Sequence, residues 1–216
     1  MTLLRYILCG AFLLTAEAGW SQSATPLRRA HAHNDYEHDR PFFDALDQGF
    51  CSVEADIFLV DDELLIAHDV SQLSPDRTLK RLYLDPLRKL TREHGGRVFP
   101  KGSLFTLLID IKSDGEKTYA VLDQMLESYG DMLCSTVDGK STRRGVQVVI
   151  SGNRPKEMIE ADRSRFAGID GRLSDLTSQT TDDLMPMISD RWPSHFRWRG
   201  EGPIPDAEQM KLAKIV

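Results

Sequence analysis

The chain has 216 residues, a length that suits one domain with a sizeable core or somewhat less than one large domain. Its composition is that of a globular protein, with 41% hydrophobic and 28% charged residues. The formal net charge of −6 argues against a nucleic-acid-binding protein, which normally presents a basic face, but it is compatible with an anionic small substrate beside a bound cation.

The N-terminal segment has the pattern of a signal peptide. Arg5 precedes the apolar run YILCGAFLL, small residues at 16–18 offer a cleavage site, and a cut after Ala24 fits equally well. The run is too short and too interrupted for a membrane-spanning helix. We therefore predict a signal peptide over residues 1–24, export of the mature chain to the periplasm or the extracellular space, and no transmembrane segment in residues 25–216.

Short apolar runs that end in polar residues recur along the rest of the chain. The runs, with their polar positions, are RRAHAHN (His31, His33), CSVEADIFLV (Glu54, Asp56), LFTLLIDIKSD (Asp110, Lys112), GVQVVISGN (Ser151, Asn153), FAGIDGR (Asp170, Arg172) and LMPMISD (Ser189). Residues at i and i+2 lie on the same face of a strand. Each run is therefore predicted to be a strand that directs its polar side chains to one side.

Stretches with helical character separate these runs. They are RPFFDALDQG, RTLKRLYLDPLRKLTREHG, EKTYAVLDQMLESYGDML and RPKEMIEADRSR. Strands that alternate with helices indicate parallel βα units. Functional side chains at the carboxyl ends of several strands indicate a (β/α) barrel, whose site lies on that face. We predict an α/β protein with a barrel of the TIM type.

One segment breaks the alternation of strands and helices. The sequence LVDDELLIAHD follows the strand of Glu54 at once and predicts a β-hairpin that lies over the barrel mouth and brings His68 to the same site. About six barrel strands are reached by residue 190, fewer than a closed barrel of this type contains. We therefore predict a barrel that lacks its last strands, with an unusual open barrel as the alternative.

The polar residues at these strand ends have the chemistry of a metal site. Glu54 and Asp56 would repel each other if both were ionised in a cleft, and a divalent cation removes that repulsion. Asp110 adds a third carboxylate and Asn34 a neutral carbonyl oxygen, and such oxygen ligands favour Ca²⁺ or Mg²⁺. Lys112 is suited to hold an anion at that cation. Glu-x-Asp alone also fits an ordinary pair of salt-bridge partners.

The segment from His33 to His68 resembles the core of the phosphatidylinositol-specific phospholipase C and glycerophosphodiester phosphodiesterase superfamily. There a His, often followed by Asn, ends the first strand; Glu-x-Asp ends the second, a His lies in a following hairpin, and an acidic residue lies on the next strand. The matching positions here are His33-Asn34, Glu54-x-Asp56, His68 and Asp110. The motifs SVEAD, SGNRP, DGRLSDL and MPMISDRW resemble more closely still the proteins similar to altered inheritance of mitochondria protein 6, over roughly residues 28–216.

The resemblance implies a metal-dependent phosphoric diester hydrolase that acts on a glycerophosphodiester- or phosphoinositide-like substrate. Family chemistry has a neighbouring hydroxyl attack phosphorus to give a cyclic phosphate, and two histidines, here His33 and His68, move the protons. His31 is predicted to orient His33 or to contact substrate, and Lys112 and Asn153 complete the predicted substrate contacts. Asp110 replaces a Glu that is usual at its position, which leaves open whether it binds the cation directly or through water.

Two other functions fit parts of the sequence. His-x-His at the end of the first barrel strand also begins the zinc sites of amidohydrolases, but those sites need ligands on later strands. After His68 only His94 and His195 remain, and neither is predicted to end a strand. The other alternative is a catalytically weak barrel that serves as a binding module.

Overall fold

The computed structural model describes residues 24–102 and 104–215, so the predicted signal peptide lies outside the described residues except for Ala24. In these two ranges, no helix is long and apolar enough to cross a membrane. The strands are β1 (Leu27–Ala32), β2 (Phe50–Val60), β3 (Glu63–Ile66), β4 (Phe105–Ile111), β5 (Ser135–Val137), β6 (Lys140–Thr142), β7 (Val146–Gly152), β8 (Ser164–Arg165), β9 (Ala167–Gly171) and β10 (Met187–Ile188).

The helices alternate with the long strands, as the sequence predicts. They are α1 (Phe43–Asp47), α2 (Asp85–Glu93), α3 (Gly115–Glu127), α4 (Lys156–Ala161), α5 (Trp192–His195) and α6 (Asp206–Leu212). Short 3₁₀ helices occupy Asp35–Glu37, Val70–Gln72 and Leu173–Thr177, and a π-helix at Lys80–Leu84 leads into α2.

The main sheet is parallel in the order β1-β2-β4-β7-β9-β10, and β3 pairs antiparallel with the outer part of β2. Each run that the sequence predicts as a barrel strand forms one of these parallel strands, and the hairpin is also present. The sheet curls into a half-barrel, which is compatible with part of a TIM-like barrel. The α/β class is therefore confirmed, and the barrel is observed as a half-barrel within the described residues.

One face of β4 packs in the hydrophobic core, and the other carries a polar residue of the site. Leu107, Ile109 and Ile111 are buried in the hydrophobic core together with Tyr119 and Leu122 of α3. The side chains between them point to the opposite face, because side chains alternate along a strand. That second face carries Asp110, which pairs in register with Asp56 of β2 and with Ser151 of β7. Polar groups from three neighbouring strands thus form one row.

The structure corrects the prediction that β2 ends at Glu54-x-Asp56. Parallel pairing with β4 stops at Ile57, but the strand continues to Val60 because its last residues pair antiparallel with β3. Asp56 therefore lies where the sheet gives way to the hairpin, which places its carboxylate at the mouth of the half-barrel. The sequence also gives no sign of the small antiparallel sheet β6-β5-β8.

One carboxylate on α3 lowers the stability of this fold at neutral pH. Burial, reinforced by the nearby negative charges of Asp162 and Glu127, raises the pKa of Asp123 to about 6. Its Oδ1 is buried and has no hydrogen-bond partner among the described residues. Because the pKa is higher in the folded than in the unfolded chain, the stabilising contribution is complete below about pH 4 and is lost as pH rises through about 6.

We therefore expect Asp123→Asn to stabilise the protein at about pH 8 by about 1 kcal/mol, a value well below the full shift because solvent screens a partly exposed group. The gain should nearly vanish at about pH 3, below the ordinary pKa of an aspartate, where Asp123 is protonated in both the folded and the unfolded chain. Urea unfolding at the two pH values measures it, with Glu160→Gln as the control at an exposed position. Equal gains at both pH values would show that the charge of Asp123 is not the cause.

Candidate active site and metal centre

The end of β1 places His33 against Glu54 of the neighbouring strand. The chain turns sharply after β1 because Asn34 adopts a left-handed conformation with φ 50°. This turn directs the backbone N–H of Asn34 to Oε2 of Glu54 at 3.1 Å, and Nδ1 of His33 contacts the same oxygen. The described contact of Asn34 is thus made by its backbone, and cation binding by its side-chain oxygen stays a prediction.

Asp56 is the most densely contacted acidic group of the site. Its carboxylate is fully buried, and Oδ2 accepts from the Tyr36 hydroxyl at 2.7 Å and from Nζ of Lys112 at 3.0 Å. Nδ1 of His68 lies 3.2 Å from the same oxygen and 3.0 Å from the Tyr36 hydroxyl. The hairpin therefore brings His68 to the site, as predicted. The other carboxylate oxygen of Asp56, Oδ1, is buried and has no hydrogen-bond partner among the described residues.

Asp110 completes a group of three carboxylates. Glu54, Asp56 and Asp110 each offer an oxygen, and the three atoms lie within 4.8 Å of one another. Nζ of Lys112 lies 3.2 Å from Oδ1 of Asp110. Gly152 allows this arrangement, because a Cβ at its position would lie 2.1 Å from the same Asp110 oxygen.

The charges of this group act on one another. Burial raises the pKa of Asp110, and the Lys112 ammonium opposes that rise. Burial alone would lower the pKa of Lys112, but the carboxylates of Asp56 and Asp110 outweigh it and raise the pKa. Burial and the hydrogen bond to Asp56 both raise the pKa of Tyr36, so its hydroxyl remains a proton donor.

The residues present fit a hard divalent cation. The donors are carboxylate oxygens, which Ca²⁺ and Mg²⁺ prefer. Oδ1 of Asp56 is a buried polar atom without a described partner, and such an atom is costly unless a ligand or water satisfies it. Three carboxylates within 4.8 Å of one another also repel, which a cation would offset.

The remaining predicted residues lie around this group. Nδ1 of His31 is hydrogen-bonded to Oγ of Ser52 at 2.8 Å, and His31, His33 and Glu54 form a second group whose ligand atoms lie within 4.8 Å. The side-chain amide of Asn153 donates to the backbone carbonyls of Lys112 at 3.3 Å and Ser113 at 3.0 Å. It therefore holds the segment after β4, and its contact with substrate stays a prediction.

A hydrogen-bond network on the later strands was not predicted from the sequence. The buried Oδ2 of Asp170 accepts from the hydroxyls of Ser151 and Ser189, both at 2.8 Å, and from the Arg172 guanidinium at 2.6 Å. All four residues lie at predicted strand ends, and this shared position is the feature of the sequence from which the network could have been predicted. The contacts tie the carboxyl ends of β7, β9 and β10 together and extend the polar row of the site.

Fold and site together define an α/β half-barrel with acidic and histidine side chains clustered where a metal ion could bind. Residues 20–167 match the family model described as AIM6-like phosphodiesterase domain. The chain belongs to this family, which confirms the resemblance to proteins similar to altered inheritance of mitochondria protein 6 that the motifs SVEAD, SGNRP, DGRLSDL and MPMISDRW carry. Membership in this family supports a phosphodiesterase role.

Three curated relatives illustrate the similarity. The Arthroderma benhamiae protein named altered inheritance of mitochondria protein 6 homolog is 33% identical over 173 residues, covering 70% of this chain and 55% of that protein. The Eremothecium gossypii protein named altered inheritance of mitochondria protein 6 is 32% identical, and the match covers 84% of this chain and 54% of the relative. The protein of the same name from Saccharomyces cerevisiae strain YJM789 is 34% identical, and the match covers 86% of this chain and 57% of the relative. The chain thus spans about half the length of these relatives. No solved structure gives a significant match.

The comparisons overturn one prediction. Export to the periplasm or the extracellular space is wrong, because the matched relatives are named for the inheritance of mitochondria and not for a secreted function. The apolar N-terminal run that suggested export lies outside the described residues.

Proposed function

We propose that the chain is a metal-dependent phosphoric diester hydrolase for a glycerophosphodiester- or phosphoinositide-like substrate, built on a TIM-type barrel. The observation that carries the proposal is the group formed by Glu54, Asp56 and Asp110, within 4.8 Å of one another, with a histidine against each of the first two. These three residues would hold Ca²⁺ or Mg²⁺, and His33 and His68 would be the acid and base.

His68 is oriented for proton transfer by two contacts at one nitrogen. Its Nδ1 lies 3.2 Å from the Asp56 carboxylate and 3.0 Å from the Tyr36 hydroxyl. A carboxylate only accepts hydrogen bonds, so Nδ1 donates in this contact and Nε2 remains for proton transfer with a substrate. His68 is half exposed, which leaves Nε2 within reach of a substrate that enters the mouth of the half-barrel.

His33 is held in a similar way by Glu54. Its Nδ1 contacts Oε2, and 74% of its side chain is exposed, so the rest of the ring faces the open side of the site. One imidazole takes the proton from the attacking hydroxyl of the alcohol group as the new P–O bond forms. The other donates a proton to the leaving oxygen as the old P–O bond breaks, which yields a cyclic phosphate and a free alcohol. Acid–base groups of this kind contribute about 10²–10⁴-fold each.

Lys112 supplies a positive charge at the same place. Its ammonium lies 3.0 Å from Asp56 and 3.2 Å from Asp110 and is partly exposed, so it can also contact a nonbridging phosphate oxygen. When bound, a divalent cation would offset charge on the phosphate oxygens and lower the pKa of the attacking hydroxyl.

A matched pair of substrates tests this proposal. The p-nitrophenyl ester of glycerol phosphate has a hydroxyl next to the phosphate, whereas bis(p-nitrophenyl) phosphate has none. We expect the full chain to release p-nitrophenol much faster from the glycerol ester, to lose this activity in EDTA, and to regain it with Mg²⁺ or Ca²⁺. The physical reason is that cyclisation needs the neighbouring hydroxyl and the carboxylate group needs its cation.

The substrate pair also separates the parts of the proposal. Equal cleavage of both diesters would contradict attack by a neighbouring hydroxyl. A rate on the glycerol ester that is the same before and after EDTA treatment would contradict metal dependence. Failure to cleave either diester would favour the alternative of a binding module.

A further inference from the structure

A second group of potential metal ligands lies beside the carboxylates and has a different chemistry. His31, His33 and Glu54 offer ligand atoms within 4.8 Å of one another, and both histidines are exposed whereas Glu54 is buried. This group contains two imidazoles and one carboxylate, whereas the neighbouring group contains carboxylates alone. The acid–base chemistry proposed above uses His33 but gives no reason for a second imidazole at position 31.

The strand geometry preorganises this second group. His31 and His33 are two residues apart at the end of β1, so they lie on one face. His31 pairs in register with Ser52 of β2, and the Ser52 hydroxyl holds Nδ1 of His31 at 2.8 Å. That contact leaves Nε2 of His31 available to a ligand. Such a hydrogen bond to the other ring nitrogen is how proteins fix the orientation of metal-binding histidines.

Glu54 is held in place as well. The backbone N–H of Asn34 donates to its Oε2 at 3.1 Å, and this side chain lies between the imidazoles of β1 and Asp56 of its own strand. Glu54 belongs to both groups of potential ligands. A cation at the imidazole group would therefore share Glu54 with a cation at the carboxylates, or compete for it.

We propose that His31, His33 and Glu54 form a second metal site, selective for Zn²⁺ or a similar transition-metal ion. Two imidazoles and one carboxylate are a ligand set that zinc uses with a further position open, whereas Mg²⁺ and Ca²⁺ prefer oxygen alone. Metal binding at His33 occupies an imidazole that the diesterase reaction needs free. Zinc at this site therefore inhibits diester cleavage, which couples the enzyme to the supply of zinc.

Metal titrations of the full chain test the site directly, without reliance on activity. Zn²⁺ and Mg²⁺ binding are measured by calorimetry for the wild type, His31→Ala, His31→Gln, Asp56→Asn and the control His38→Ala. His38 is exposed in the following loop and belongs to neither group. His31→Gln keeps a side chain that can bond to Ser52 but is a poor zinc ligand, so it separates metal binding from packing.

The two sites should respond in opposite ways. We expect both His31 variants to lose zinc affinity by at least about 100-fold, since even groups that only support zinc ligands change affinity by about 10–100-fold. Both variants should keep Mg²⁺ binding, Asp56→Asn should keep zinc binding, and His38→Ala should change neither. Wild-type zinc affinity in both His31 variants, or loss of zinc in Asp56→Asn, would overturn the second site. Failure of Mg²⁺ binding in the wild type would refute the proposed function but not this site.

Discussion

Replacing His33 or His68 with alanine should lower the rate of cleavage of a glycerophosphodiester with an alkyl leaving alcohol, which leaves only with a proton, on the order of 10²-fold or more in each case. The two histidines contact different carboxylates, His33 that of Glu54 and His68 that of Asp56, so each loss removes one of the two proton-transfer groups. Both side chains are about half exposed or more, and neither replacement opens a cavity in the core. Rates are measured at saturating substrate with the cation present.

The control variants make this result specific. His38→Ala removes an exposed imidazole from the neighbouring loop and should leave the rate near that of the wild type. His31→Ala should cost clearly less than His33→Ala, because His31 lies deeper on β1 and is hydrogen-bonded to Ser52. A larger loss in His31→Ala than in His33→Ala would mean that His31 is the proton-transfer group, and the zinc-hydrolase alternative would gain support.

The parallel strands could be predicted because their signal is local. Each has an apolar run long enough to be buried on the sheet, and each closes on polar residues that the register then brings together. Asp56, Asp110 and Ser151 are the best example, because the order β2-β4-β7 sets them side by side. The site followed from the same pattern, since parallel strands have their carboxyl ends at one edge of the sheet.

What the sequence did not show depends on contacts between distant segments. The strands β5, β6 and β8 have two or three residues each, which is too short for a periodic pattern. Their pairing depends on the fold that surrounds them. The bond from the Tyr36 hydroxyl to Asp56, across 20 residues of sequence, requires the turn after β1 to be known first. The Asp170 network requires the order β7-β9-β10, which no single segment encodes.

Asp56 illustrates why one position in such a site carries several functions. Oδ2 is shared by Tyr36, His68 and Lys112, and Oδ1 is buried without a described partner. The first oxygen therefore organises the protein side of the site, and the second is the atom that a cation would satisfy. A substitution that removes only the charge and one that removes the whole side chain should separate the contribution of Asp56 to cation binding from its contribution to stability.

We expect Asp56→Asn to abolish Mg²⁺ and Ca²⁺ binding and diester cleavage while it changes stability by only about 1 kcal/mol, because an amide of the same shape can still accept one of the hydrogen bonds. Asp56→Ala should also abolish cation binding, but it should destabilise the fold by about 3 kcal/mol or more. The larger loss is expected because Lys112 keeps only Asp110 as a partner and the buried Tyr36 hydroxyl loses its acceptor.

Calorimetry measures the affinity for the cation, and urea unfolding in EDTA measures the stability of the fold without any contribution from bound metal. Asp62→Asn is the matched control, because it removes an exposed carboxylate from the adjacent hairpin turn, where φ is 65° and asparagine is well tolerated. Cation affinity that survives in Asp56→Asn would place the ion elsewhere. Equal stability of the Asn and Ala variants would mean that the contacts at Oδ2 contribute little to the fold, and that Asp56 is buried for the sake of the cation alone.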